Sequence, residues 1–286
     1  MRNRANQLQQ LCQSIASTVK THSLDWSIFF LLTVGLTGGW ALAAKAETAE
    51  TAPPQLQETL AQINAAANSR DLEGVIKFYG SNFRNSDGLN RTALKKALAK
   101  LWENYSQLNY RTELKSWQRE GEAIVTETVT YITGTRNGED RDIKIESTMR
   151  SRQRFENQQI VDQEILSEQT QLTSGDNPPT VQVNLPEQVR IGQRYNFDVI
   201  VQEPLGNDLL MGAALEEPTR KERYINPAEW ELDLLSAGGI YKIGRAPLRK
   251  DDRWVSAVLI RGDGMTMVTR RLQIVDRSSA SNRPSR

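Results

Sequence analysis

Two rows of residues carry the chemistry this sequence offers. In the first, Thr126, Thr128 and Thr130 alternate along one segment, and Ser147 and Met149 along the next. That spacing puts each set on one side of a β-strand. A face that is apolar with hydroxyls and without charge suits a cavity for a small, mostly apolar ligand oriented by hydrogen bonds. Threonine's preference for strands in a filled core produces the same pattern. In the second row, Arg150, Arg152 and Arg154 share the opposite side of the second strand. Aligned guanidinium forks suit an anion or a carboxylate-bearing partner. A solvated strand face paired with Glu122 and Glu127 reads the same way. Glu127 and Tyr131 belong to the arginine side, and a slip of one residue would turn both into the cavity and supply a base.

The rest of the composition excludes more than it includes. The single cysteine, Cys12, and the single histidine, His22, both precede the first long apolar run. Ser-His-Asp and Cys-His mechanisms, and zinc sites built on thiolate or imidazole, are therefore unavailable after it. No Gly-rich phosphate loop, nucleophile elbow or EF-hand spacing is present, so no metal and no cofactor is expected. Arg261-Gly262-Asp263 spells an adhesion tripeptide, yet Gly-Asp-Gly between two strands is ordinary hairpin chemistry. Arg245, Arg249, Lys250 and Arg253 cluster beside Asp251 and Asp252, which read as an exposed loop with its charge partly cancelled.

The elements that must position these residues can be read in order. Leu56, Leu60, Ile63 and Ala67 recur at helical spacing, and Asn68-Ser69-Arg70-Asp71 ends that helix and caps a short second one through Tyr79. Gly80 to Asn90 reads as a polar loop, and Leu94, Leu98, Leu101, Trp102 and Tyr105 mark a third helix. Strands follow. Asn137-Gly138 is a strong two-residue turn signal, so Ala123–Thr135 is expected to pair with Asp140–Phe155, with Arg136 opposite Glu139 and Thr126 opposite Met149. A third strand is expected over Gln159–Leu172. The helix, the Arg70-Asp71-Leu72 turn, the short helix ending Phe78-Tyr79 and the strand entry Gly121-Glu122-Ala123-Ile124-Val125 resemble the nuclear transport factor 2-like superfamily over about residues 55–172. That cone-shaped fold includes ketosteroid isomerase, scytalone dehydratase and limonene epoxide hydrolase, together with many non-catalytic members. The resemblance implies architecture rather than activity. Enzymes of that kind need a pocket carboxylate, which the expected concave face does not bring.

After Ser174–Thr180 the period shortens. Val181–Leu185, Tyr195–Val201, Leu209–Leu215, Glu231–Leu235, Ile240–Ile243, Trp254–Arg261 and Met265–Val275 alternate as strands, similar in style to immunoglobulin-like or fibronectin-like modules. The expected fold class is thus α+β, a cone of three helices with a curved antiparallel sheet followed by an all-β sandwich.

The N-terminus sets the compartment. Trp26 to Ala44 is an apolar run preceded by Arg2, Arg4 and Lys20, with small-x-small sites at Ala41-Leu42-Ala43 and Ala44-Lys45-Ala46. It reads as a signal peptide or an uncleaved anchor, and the rest as exported to a periplasmic or lumenal side. Beyond residue 46 stand 32 basic and 34 acidic residues. That balance offers no field for nucleic acid. The expected organisation is 1–46 signal or anchor, 47–55 linker, 56–173 cone-like domain, 174–180 linker, 181–276 sandwich and 277–286 disordered tail. The function expected is a non-enzymatic, membrane-associated binding or scaffold protein that takes a small apolar ligand or a protein partner. A homodimer through Val125, Val129 and Tyr131 on the outer face is compatible with it. The alternatives are a histidine-free isomerase or dehydratase using Glu127 and Tyr131, and an assembly factor of a membrane complex.

Overall fold

A computed structural model of the chain describes residues 46–136, 141–206, 208–224, 229–235, 237–262 and 264–276. The signal or anchor segment 26–44, the Asn137-Gly138 turn, Asp263 and the tail 277–286 lie outside them. Three helices are described: α1 (Pro54–Asn68), α2 (Leu72–Ile76) and α3 (Arg91–Asn104). Local chemistry sets their ends. Proline at the start of α1 lacks only a donor that a helix start leaves unbonded anyway. Asp71 caps α2 by accepting from the Gly74 N–H at 2.9 Å, and Asn90 caps α3 by accepting from the Ala93 N–H at 2.9 Å.

The strands are β1 (Glu47–Thr48), β2 (Tyr79–Asn85), β3 (Gln107–Glu120), β4 (Ala123–Arg136), β5 (Ile143–Glu156), β6 (Gln159–Ser174) and β7 (Val181–Asn184). They continue as β8 (Gln188–Arg190), β9 (Arg194–Val201), β10 (Leu210–Pro218), β11 (Asp233–Leu235), β12 (Gly239–Arg245), β13 (Arg253–Arg261) and β14 (Gly264–Val275). Most of them join one 11-stranded sheet whose path is β1-β3-β4-β5-β6-β14-β13-β10-β11, with β2 alongside β6 and β8 alongside β14. A separate three-stranded sheet, β12-β9-β7, completes the set.

This overturns the expectation of an α+β cone of three helices followed by a separate all-β sandwich. The described residues are 56% strand and 19% helix. The halves share backbone hydrogen bonding, because β14 runs antiparallel to β6 from Met265 opposite Ser174 to Arg270 opposite Gln169. The physical reason is that β2 covers β6 only as far as Gln163, so the rest of this 16-residue strand would otherwise be a bare edge. The last strand of the chain covers that edge. Residues 47–55, expected as a linker, are docked: Glu47 and Thr48 pair with Trp117 and Ser116, and Ala52 is buried.

The two faces of the large sheet are covered by different things. On one face Trp117, Phe155 and Ile160 pack with Leu56 and Leu60 of α1 and with Phe83 of β2. On the other, Ala257, Leu259, Val268 and Leu272 of β13 and β14 pack against Phe197 and Val199 of the small sheet. Helices thus cover one face in the first half, and strands cover the opposite face in the second.

The β4–β5 register differs from expectation by four residues. Arg136 lies opposite Ile143 rather than Glu139, and Thr130 rather than Thr126 lies opposite Met149. Residues 137–142 together connect the two strands. A two-residue loop with positive φ at both positions joins β5 to β6, at Asn157 (φ 49°) and Gln158 (φ 65°), between Glu156 and Gln159. Left-handed backbone costs a side-chain-bearing residue about 1–2 kcal/mol. We therefore expect Gln158→Gly to stabilise the protein by about 1 kcal/mol. The readout is the urea midpoint, which a strained turn requires to rise.

Candidate functional site

An even register shift leaves every residue on its original face. Thr126, Thr128, Thr130, Ser147 and Met149 all lie on the helix-covered face. The structure divides them. Thr126 and Thr128 are sealed at 1% and 0% exposure, whereas Thr130, Ser147 and Met149 are half-buried. Their hydroxyls bond across strands: Thr128 to Ser151 at 3.2 Å, Thr130 to Thr112 at 3.0 Å and Ser147 to Thr170 at 2.8 Å. Thr126 Oγ1 and, beside it in the ladder, Gln153 Oε1 are buried without a partner among the described protein groups.

The row Thr112–Thr130–Met149 continues onto β6 at Glu168. A carboxylate thus stands on the face that the hairpin alone reads as uncharged, because the hairpin register says nothing of the third strand. Glu168 belongs to a larger cluster. The Arg271 guanidinium donates to Asp87 Oδ1 at 2.9 Å and Oδ2 at 2.6 Å, and to Glu168 Oε2 at 3.2 Å. Trp254 Nε1 donates to Glu168 Oε2 at 2.8 Å, and the Tyr224 hydroxyl donates to Asp87 Oδ2 at 2.5 Å. The Arg271 and Asp87 side chains are 0% and 1% exposed.

The elements explain the gathering. Arg271 stands near the end of β14, Trp254 at the start of β13, and Asp87 in the turn after β2. Tyr224 closes the cluster from a 3-10 turn at Lys221–Tyr224, edge-on to Trp254 with ring centroids 4.9 Å apart. Burial opposes the charge of Arg271, but the Asp87 hydrogen bonds and the Glu168 charge outweigh it and hold the guanidinium above its usual range. Burial, with the charges of Glu168 and Asp87, pushes the Tyr224 hydroxyl well up. Burial also raises Asp252, 3.7 Å from Arg271, so its favourable contribution is present while it is neutral and fades as pH climbs through that raised value. The arrangement is fit for locking the sheet's two halves together. It leaves no carboxylate oxygen of Asp87 free for proton transfer.

The arginine row lies on the opposite, outer face, and all three members are paired. Arg150 bonds Glu127; Arg152 meets Glu164 at 2.9 Å; Arg154 meets both Glu120 and Glu156 at 2.9 Å. Glu127 and Tyr131 lie on this face too, Tyr131 beneath the Arg111 guanidinium at 4.1 Å. Arg152 and Arg154 help to line an open groove of about 460 Å³ with Glu120, Glu127, Asp162 and Glu164, close to Ala46, where the described chain begins. Four carboxylates against two guanidiniums make its floor acidic. Among the described residues no group of histidine, cysteine or carboxylate side chains has the geometry of a metal site, and no helix is long and apolar enough to cross a membrane.

Comparison with known proteins adds little to this geometry. Residues 176–275 match the model of a family described as "Domain of unknown function (DUF8623)". No curated protein matches. Among solved structures, the scytalone dehydratase-like protein of Novosphingobium aromaticivorans is similar at 11% identity and a TM-score of 0.33, over 39% of this chain and 80% of that one. An epoxide hydrolase of M. tuberculosis, similar to limonene epoxide hydrolase, matches at 10% identity and a TM-score of 0.29, again over 39% and 80%. Bd1075 of Bdellovibrio bacteriovorus matches at 14% identity and a TM-score of 0.27, over 38% of each chain. Proteins of the nuclear transport factor 2-like kind thus stand among the structural neighbours, for a segment and at low similarity. The immunoglobulin- or fibronectin-like reading of the C-terminal strands rests on their pattern alone.

Proposed function

We propose that this chain is a non-enzymatic docking protein on the exported side of a membrane, held there or released through residues 26–44, and that its outer groove seats a segment of a protein partner. One observation carries the reading: the two central threonines of the expected cavity are sealed and the fully buried acid, Asp87, is already committed. Thr126 and Thr128 are sealed, Asp87 is held by Arg271 and Tyr224, and Glu168 Oε2 accepts from both Arg271 and Trp254. A histidine-free isomerase or dehydratase needs a carboxylate with a free lone pair beside an open cavity. The groove, by contrast, is open and lined with paired charges that a partner's own charged side chains can exchange into.

A second reading has one observation in its favour. Thr130, Ser147 and Met149 are half-buried beside Glu168, which leaves room for a small, mostly apolar ligand at that end of the face. Gently solubilised membranes containing the tagged full chain separate the two. On the docking reading a defined protein coelutes, and Arg152→Glu removes it while the thermal midpoint holds, since exposed ion pairs contribute at most about 1 kcal/mol. Elution of the chain alone from the soluble fraction would sink the docking reading.

A further inference from the structure

The small sheet turns one face to the core and the other outward. Tyr195, Phe197 and Val199 of β9 and Ile240 of β12 are buried in the core beneath it. The residues that alternate with them therefore point away from the protein. In the ladder Tyr241 lies opposite Asp198, Ile243 opposite Asn196 and Arg245 opposite Arg194, so these six share the outward face. Ile243 is 74% exposed and Tyr241 56%. The face runs on into a tip where two loops are stitched together. The Ala246 N–H donates to Gln193 O at 2.8 Å, the Gly192 N–H to Pro247 O at 3.0 Å, and Arg245 Nε to Gly192 O at 3.2 Å. Leu248, at 81%, is the most exposed large apolar side chain among the described residues, and Arg249 and Lys250 follow it, both exposed.

The charge of this end is one-sided. Residues 188–197 and 239–250 carry Arg190, Arg194, Lys242, Arg245, Arg249 and Lys250 and no carboxylate. Asp198 is the one acid in β9 and β12. Asp251 does not restore the balance, because Arg220, Arg249 and Arg253 all meet its Oδ2, at 3.5, 3.3 and 3.5 Å. Arg253 also meets Glu216, which leaves two guanidiniums on one carboxylate. Asp252 lies with Arg271 and accepts from the Ile274 N–H. A second copy of this chain would bring the cations against their own kind. A folded protein partner needs a pocket for each apolar anchor. A bilayer interface takes single projecting apolar side chains without a shaped complement, and favours tyrosine at headgroup depth. We infer that this tip docks on an anionic bilayer surface, with Leu248 and Ile243 entering the boundary of the acyl chains and Arg194, Arg245, Arg249 and Lys250 meeting lipid phosphodiester groups. The surface shares no residue with the outer groove, and its test needs no protein partner.

The test uses the full chain carrying Cys12→Ser/Leu248→Cys, labelled at position 248 with an apolar, environment-sensitive fluorophore. It is reconstituted into nanodiscs of phosphatidylcholine alone or of phosphatidylcholine with phosphatidylglycerol. The apolar run 26–44 is present in both, so the difference between the discs reads the tip. In the phosphatidylglycerol discs the probe is expected to shift to the blue and to be quenched by nitroxide-bearing lipid, and in the zwitterionic discs to stay in water. Arg249→Gln/Lys250→Gln should lower the ratio of docked to free tip about fivefold for each cation removed, and raised salt should release the unaltered tip in the same way. Both altered side chains are exposed, so the fold does not depend on them. An unshifted probe in both discs, an equal shift in both, or a shift that Arg249→Gln/Lys250→Gln leaves unchanged overturns the proposal. So does coelution of an acidic protein that this variant releases while the probe shows no contact with lipid, which would assign the tip to a protein partner.

Discussion

Arg271→Met is expected to destabilise the protein by about 3–5 kcal/mol, because removing one partner of a buried pair leaves an uncompensated charge behind. Asp87, at 1% exposure, would keep only its bonds from Tyr224 and, at 3.3 Å, from Ser86, and Glu168 would keep only Trp254. Against a total of about 5–15 kcal/mol for an ordinary protein, that is a large part of the whole. Urea unfolding followed by tryptophan fluorescence measures it. The pair itself is not expected to be worth so much, since burying two charges has its own desolvation cost. Arg271→Met/Asp87→Leu should therefore recover most of the deficit, and a double-mutant cycle would show strong coupling between the two positions. A single-variant loss below about 1 kcal/mol would mean that the cluster does not lock the fold.

Phe83→Ala should cost about 3–5 kcal/mol, the usual range for deleting a buried aromatic ring. Phe83 is 1% exposed, between α1 and the first half of the sheet. The more informative result lies elsewhere. Because β6 and β14 share hydrogen bonds and Arg271 grips Asp87, amide protection in β13 and β14 should fall together with that in β4 and β5. Hydrogen exchange resolves this strand by strand. Loss confined to residues 46–172, with β13 and β14 unchanged, would show that one sheet need not be one cooperative unit.

The sequence reading succeeded where information is local and failed where it is not. Asp71 as a cap, the apolar spacing of the first and third helices, and the alternation along β4 and β5 are written within a few residues of one another. The hairpin register was misread because Asn137-Gly138 reads as a two-residue turn by residue type, whereas β4 and β5 pair with Arg136 opposite Ile143. The faces survived that error because the shift was even. The continuity of the sheet was not legible, since nothing near β6 announces a partner that arrives about a hundred residues later. β2 went unseen because Gly80-Ser81-Asn82-Phe83-Arg84 is mostly polar, and its strand conformation comes from pairing with β6. The Arg271 cluster joins residues 184 positions apart. Its one signal is the Arg270-Arg271 pair inside an otherwise uncharged strand, where alternation forces one arginine onto a covered face.

The pairing of β6 with β14 also governs how the chain can be divided. The family match over 176–275 and the proline-bearing stretch Ser174–Thr180 both suggest a place to cut. Cutting there would bare Gln169–Ser174 of β6 on one fragment and Met265–Arg270 of β14 on the other, each an unpaired edge ready to recruit a foreign strand. Fragments made at that point should clump when expressed alone and regain solubility when mixed, as complementary halves of one ladder.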